Sequence, residues 1–308
     1  MDDNQLTVIK PKKSFDQIKA LVIDGLNSRH SKVMYELAID DFLSWYQDQG
    51  NPGLLKATVN AYKAHLQSST DYAPSTINLR LSAIRRLALE AADNELITDN
   101  QYNGIANVKG ITKSGVRSGN WLTLEQAQKL INAPDKTRVK GLRDRAILAV
   151  MIGGGLRRSE VASLKFDHIQ QRESRWAIVD MIGKRNRVRT IPLPTWAKVA
   201  IDDWTRAAGI SEGNIFRQVN KADNLQGETL SSQAIQNIVK EYAAKCGYKL
   251  AAHDLRRTYA KLARKANAPI DQIQITLGHE SVQTTERYLG TQQDLINAPC
   301  DYIKIDLD

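Results

Sequence analysis

The stretch from His253 to Tyr288 restricts this chain more than any other, because it asks for a helix with two different faces and hangs reactive side chains on one of them. His253 and Arg256 stand three positions apart, so on a helix they share a face and address one ligand together. Leu255, Tyr259, Leu262 and Ala266 follow at helical spacing and form a separate apolar stripe, which leaves the polar pair facing outward. A Gly278-His279 pair and then Tyr288 complete the set. A cation beside a histidine suits a phosphate oxygen, and a tyrosine nearby can attack phosphorus. Taken singly, each piece has a plainer reading: His-x-x-Arg is more often a capped helix start or a surface pair, and a lone tyrosine usually packs. What favours a site is the crowding of the set, with a further arginine and lysine upstream.

The partner of such a site must be an anion. A chain of 308 residues is comfortable as two domains, and its formal charge of +9 with a pI near 9.4 leaves nucleic acid and acidic membrane both open on charge alone. No apolar run approaches the roughly 20 residues that span a bilayer, and the polar start MDDNQLTVIKPKK has no signal-peptide core, so a soluble intracellular protein is expected. Cys246 and Cys300 match neither a zinc nor a redox spacing and read as structural.

From Ser14 to about Asn107 the pattern is helical throughout. Met34, Leu37, Ala38, Phe42, Trp45 and Tyr46 mark one buried stripe within Ser31–Gln49; Leu55, Val59, Tyr62 and Leu66 mark a second within residues 54–67. A third helix opens at Pro74-Ser75-Thr76, with Ser75 as a cap and Ile77, Leu81, Ile84 and Ala88 inward. Its other face carries Asn78, Ser82, Arg85 and Arg86, which can lie in a DNA major groove or simply be solvated. A short helix near Asp99–Ala106 closes the module, assigned to residues 1–108. Residues 109–119, which include Lys113 and Arg117, read as a basic flexible linker, although a plain solvated loop explains the same letters.

The second domain, residues 120–298, begins where Thr123 can cap a helix. Residues 141–152 read as a central buried helix stopped by Gly153-Gly154-Gly155, after which Arg157 stands at a helix start with Glu160 one turn on. An arginine at a positive helix end is well placed for an anion, with Glu160 steadying its guanidinium; a surface ion pair of a few tenths of a kcal/mol is the commoner outcome. The period then changes to that of strands over residues 176–182 and 187–193, around a turn Gly183-Lys184-Arg185-Asn186. Lysines at hairpin tips are usually only wet, yet a flexible tip can also deliver an ammonium proton. Helices follow near 196–208, 231–246 and 291–297, and the tail 299–308 alternates like an edge strand.

Gly-Leu-Arg-x-Ser-Glu, a hairpin Gly-Lys, His-x-Leu-Arg-Arg, Leu-Gly-His and then Tyr together resemble the tyrosine recombinases of the simple Xer and integrase type, over about residues 14–298. The resemblance implies a mostly α fold with a small β-sheet in the catalytic domain. A helical core-binding domain would join it in a two-domain C-shaped clamp, without the extra N-terminal arm-binding domain of large phage integrases. It further implies Arg157 and Arg256 as phosphate clamps, Lys184 as the acid reaching into the groove, and His253 and His279 as the motif histidines. Tyr288 would be the nucleophile and Glu160 a supporting acid, with Arg185 and Arg187 beside Lys184 on DNA. The expected partner is double-stranded DNA, held by a homotetramer on two duplexes, in the cytoplasm on the nucleoid, with the tail docked on a neighbour. No metal, nucleotide or other cofactor is expected, since neither a carboxylate cluster nor a phosphate-binding glycine loop is visible. Two rivals stand beside recombination: a type IB-like topoisomerase that only nicks and reseals, and a DNA-binding protein whose cleavage is vestigial.

Overall fold

A computed structural model describes residues 14–112, 120–182 and 188–289 of the chain. It divides into two compact units, Met1–Val116 and Arg117–Asp308, so the boundary falls inside the basic segment 109–119.

The first unit holds α1 (Phe15–Asp24), α2 (Arg29–Asp48), α3 (Lys56–Ser69), α4 (Pro74–Asp93) and α5 (Asp99–Ala106). Reciprocal capping boxes open α1 through Ser14 and Gln17, and α5 through Thr98 and Gln101. Helix α4 starts differently from expectation: Ala73 is its N-cap and Pro74, whose φ is already helical, occupies the first turn, so Ser75 does not cap. With seven buried residues, among them Ile77, Leu81, Ile84 and Ala88, α4 is the axis against which the other four helices pack. Two inward assignments fail. Leu37 and Leu55 are 57% and 41% exposed, because the buried face of α2 is Ala38, Ile39, Phe42 and Tyr46, and Leu55 precedes α3 as its N-cap.

The second unit is built on α7 (Val139–Gly153), which is buried continuously from Ala146 to Ile152 and preceded by α6 (Leu124–Ile131) under a Thr123 capping box. After α7 come the one-turn α8 (Arg158–Ala162) and a three-stranded antiparallel sheet of β1 (Ile169–Arg172), β2 (Arg175–Ile182) and β3 (Val188–Pro192) in that order. Strand β1 was not anticipated: Ile169 is the one apolar residue in IQQR, so it carries almost no alternating signal. Helix α9 (Thr195–Ala207), a two-residue ladder β4 (Gln218–Val219) with β5 (Leu225–Gln226), and α10 (Ser232–Lys245) lead to α11 (Ala252–Lys265), α12 (Ile270–Leu277) and α13 (Val282–Leu289). Gly155 has φ +62°, and a β-carbon there would stand 2.7 Å from the Tyr259 ring, so the turn that aims Arg157 needs a residue without a side chain.

Helix α11 is rotated relative to the expected stripe. Leu255 is buried and Ala266 is exposed beyond the helix end, while Ala252, Arg256, Thr258 and Ala260 take the inner positions. The His253 and Arg256 pair therefore does not face outward together: Arg256 is 1% exposed. The helix expected at 291–297 and the tail 299–308 lie outside the described residues.

Candidate active site

The Arg157 end of the site is fixed by one carboxylate. Arg157 is the N-cap of α8 in extended backbone, and Glu160 Oε2 accepts its backbone N–H at 2.8 Å while Oε1 accepts its Nη1 at 2.7 Å. The side chain of Arg157 keeps 28% of its surface accessible, whereas that of Glu160 keeps 4%. Glu160 thus holds the backbone and the guanidinium of Arg157 at once, in a pair buried enough to count for more than a surface one.

Arg256 reaches across from α11. Its Nη1 donates to the Gly155 carbonyl at 2.7 Å and its Nη2 to the Leu277 carbonyl, so it ties the segment before Arg157 to the segment before His279. A second buried arginine, which no sequence motif marks, bridges the same two regions. Arg189 donates from Nη2 to Glu160 Oε2 at 2.9 Å and from Nε to the Thr276 carbonyl at 2.8 Å. A signal for it existed: β3 alternates, with Arg189 and Ile191 buried between exposed Val188 and Thr190. Read with period two from Ile191, residue 189 falls on the inner face.

The two histidines lie in the field of these cations. His253, in the first turn of α11, is held below its ordinary pKa by desolvation and then by Arg256 and Arg257, with Arg157 adding to the effect. His279 is pushed down to about 4, by burial first and then by Arg256, Arg157, His253 and Arg189. Both imidazoles are thus neutral near pH 7. His279 Nδ1 lies 2.9 Å from Thr285 Oγ1, on α13, and Thr285 is fully buried. Glu160 keeps its charge: burial would raise its pKa, but hydrogen bonds from Arg189 and from the Arg157 backbone outweigh that and hold it low. Among the described residues no group of three or more His, Cys, Asp or Glu is arranged to hold a metal ion.

Arg157, Glu160, His253, Arg256 and His279 are thus gathered by contact or field. Tyr288 is carried on α13, which packs on α11 and α12, and its side chain lies outside the described part of the structure. Lys113, Arg117, Lys184, Arg185 and Arg187 lie outside the described residues. On α4, the face expected to be open is largely bonded to its own unit. Asn78 exchanges two hydrogen bonds with the backbone of Ile111 at 2.7 and 2.9 Å, Arg85 donates to the Val108 carbonyl, and Ser82 donates to the Asn78 carbonyl at 2.9 Å. Residues 108–111 are consequently clasped by α4 rather than loose. Arg86 is exposed and pairs with Glu90 at 2.8 Å.

Residues 120–294 match the model of the phage integrase family. A tyrosine recombinase XerC of Myxococcus xanthus is 30% identical over 268 residues, 85% of this chain and 87% of the relative. The chain belongs to the phage integrase family of tyrosine recombinases. A XerD recombinase of Lacticaseibacillus casei is 28% identical over 286 residues, covering 89% and 92% of the two chains. Among solved structures, XerH bound to its difH substrate superposes with a TM-score of 0.67 at 17% identity over 92% of this chain and 82% of that one. A lambda integrase tetramer on a Holliday junction gives 0.66 at 17% identity, over 91% and 78%. The recombinase is accordingly an enzyme that cuts and rejoins DNA strands at specific sites, on a mostly helical fold with a small antiparallel sheet. No helix among the described residues is long and apolar enough to cross a membrane.

Proposed function

We propose that this recombinase breaks one DNA strand by attack of the Tyr288 phenol on a phosphodiester clamped by Arg157 and Arg256, leaving a 3′-phosphotyrosyl link and a 5′-hydroxyl. The observation that carries this reading is a surplus of fixed positive charge. Arg157 and Arg256 are each bonded in place around two neutral histidines, with the Glu160 carboxylate holding Arg157 from the inner side. A phosphorane gathers negative charge on its non-bridging oxygens, so cations held beforehand lower its energy without reorganising. Arginine forks suit that oxygen pair better than ammonium groups.

A phenol needs help to ionise, since its ordinary pKa is near 10. The positive field that depresses both histidines acts on any phenol brought among them in the same sense, and neutral His253 takes the proton. As the P–O5′ bond breaks, Lys184 protonates the leaving oxygen. His279 donates from Nε2 to a phosphate oxygen when the Thr285 hydroxyl donates into Nδ1. Attack on the link by the 5′-hydroxyl of another strand regenerates the phenol, so the bond energy is conserved without nucleotide or metal. Exchange of both strands through a Holliday junction then asks for four protomers on two duplexes, in the cytoplasm where the chromosome lies. DNA contacts are assigned to Arg86 of α4, Lys113 and Arg117 of the linker, and Arg185 and Arg187 of the hairpin tip, whereas Asn78, Ser82 and Arg85 are taken up by their own unit. Arg86 is the most accessible of the α4 set.

A plasmid carrying two copies of the target tests the whole reading. Recombinant circles are expected from wild type and none from Tyr288→Phe. Relaxed but unexchanged plasmid would mean a nicking-closing enzyme instead, and bound but uncut plasmid a vestigial one.

A further inference from the structure

The last carbonyls of α12 have no partner within their own helix, and a helix C-terminus carries partial negative charge. In this protein two consecutive ones are taken by two arginines from different elements: Thr276 O by Arg189 of β3, and Leu277 O by Arg256 of α11. Gly278-His279 follows at once, with Gly278 at φ +62° closing the helix. The glycine also makes room for Arg189. A β-carbon at residue 278 would lie 3.2 Å from Arg189 Cδ and 3.3 Å from Nη1. At its other end Arg189 meets Glu160 Oε2, the atom that also receives the Arg157 backbone N–H at 2.8 Å. Arg189 has 7% of its side chain exposed and Glu160 4%, so the pair is dry.

We propose that Arg189 is a positioning residue for the phosphate clamp: through one buried guanidinium it sets the separation between the segment that presents Arg157 and the segment that presents His279. The inference rests on the roles proposed above for Arg157 and His279. Arg189 itself touches no phosphate in this account. It acts through Glu160 on one side and the end of α12 on the other. A planar fork serves both acceptors through two fixed donors, whereas an ammonium at residue 189 lacks that fixed geometry. A displacement of about 1 Å between catalytic groups is enough to cost about 100-fold in rate.

The test compares wild type with Arg189→Met and Arg189→Lys, using the duplex that wild-type protein captures covalently from a random-sequence library, rebuilt as a nicked suicide substrate. Duplex affinity, rate of covalent capture and thermal midpoint are measured on each folded protein. Affinity is expected to stay within about threefold, while capture slows about 100-fold in Arg189→Met and about 10-fold in Arg189→Lys. Glu160→Gln combined with Arg189→Met should slow capture no more than the worse single variant, because both act through one bridge. Capture within about threefold of wild type in folded Arg189→Met, or in Arg189→Lys where the methionine variant does not fold, overturns the proposal, as does a parallel loss of affinity and capture. If wild type captures no duplex at all, the clamp chemistry falls and this inference with it.

Discussion

Two clusters of buried charge in the second unit look alike and are built to opposite ends. Around Asp144, which is fully buried, Arg143 donates from Nε and Nη2 at 2.9 and 2.7 Å, Lys140 at 2.9 Å and Tyr242 Oη at 3.1 Å, and Lys140 also faces Glu241 at 3.8 Å. With Lys245, which pairs with Glu241 at 2.7 Å, that is three cations against two carboxylates. Around Glu160 stand Arg157 and Arg189 in direct contact, with Arg256 near them, two arginines bonded to one carboxylate and a third close by. The first cluster is nearly balanced and closes α7 against α10; among the described contacts the second carries the larger surplus of positive charge. A balanced buried network reads as architecture, and an unbalanced one whose members are individually tied down reads as a binding site for the opposite charge. The first unit makes the contrast sharper, since among its described residues no charged side chain is buried in the core.

The sharpest way to break this comparison is to remove one charge from each cluster. Arg157→Ala should slow covalent capture by about 10²–10³-fold with a smaller loss of stability than the Asp144 variant, since Glu160 keeps Arg189 and the residue-157 backbone N–H. Asp144→Asn should cost about 3–5 kcal/mol of stability by stranding Arg143, yet leave capture per folded molecule unchanged. Suicide-substrate kinetics beside denaturant titration would show the two columns crossing; loss of stability and of capture together in both variants would erase the distinction.

A smaller effect is expected at Thr285. Thr285→Val should slow capture about tenfold by freeing the His279 ring to turn, while Thr258→Val, a buried hydroxyl of α11 bonded to the Leu122 N–H at 3.0 Å, should not. Equal rates in the two would remove Thr285 from the site.

Acid should separate the clusters without mutation. The folded pKa of His279, about 4, lies below its ordinary 6.5, so between those values the unfolded chain holds more protons. The stability that neutral His279 contributes is therefore complete above about pH 6.5 and is lost as pH falls toward 4. Midpoints taken at pH 7, 6 and 5 should decline in wild type and decline less in His279→Gln. For the same reason, DNA binding near pH 5.5 should take up protons, because a phosphate between the arginines offsets the field that keeps both histidines neutral. Identical declines in wild type and His279→Gln would take His279 out of the linkage.

How much of this was legible beforehand follows from what each interaction needs. A short helix is legible near Asp99–Ala106, and the core face of α4 at Ile77, Leu81, Ile84 and Ala88 follows from local spacing. Arg157 with Glu160 was visible for the same reason, at three positions apart. Arg256 stands in the legible His-x-x-Arg spacing but faces inward, and Arg189 falls outside every motif. Both bond backbone carbonyls far along the chain, at Gly155, Thr276 and Leu277, and every residue has a carbonyl, so no letter marks the acceptor. Asn78 and Arg85 were open to a DNA-reading role for the same cause: their partners are the backbones of Ile111 and Val108. Arg86→Ala carries the smallest prediction, a few-fold weaker DNA affinity with a salt slope shallower by about one, whereas Arg85→Ala should act mainly on the stability of the first unit. Salt titrations of both variants would check this, and an equal change of slope would place both side chains on phosphate.

The claim on which the rest depends is that a phenol oxygen on α13 makes the bond to DNA. Digesting the covalent complex with nuclease and protease and sequencing the modified peptide by mass spectrometry tests it directly. The account predicts a nucleotide joined through its 3′-phosphate to Tyr288, absent from Tyr288→Phe. A nucleotide on any other side chain, or a wild-type adduct that survives that substitution, would contradict it.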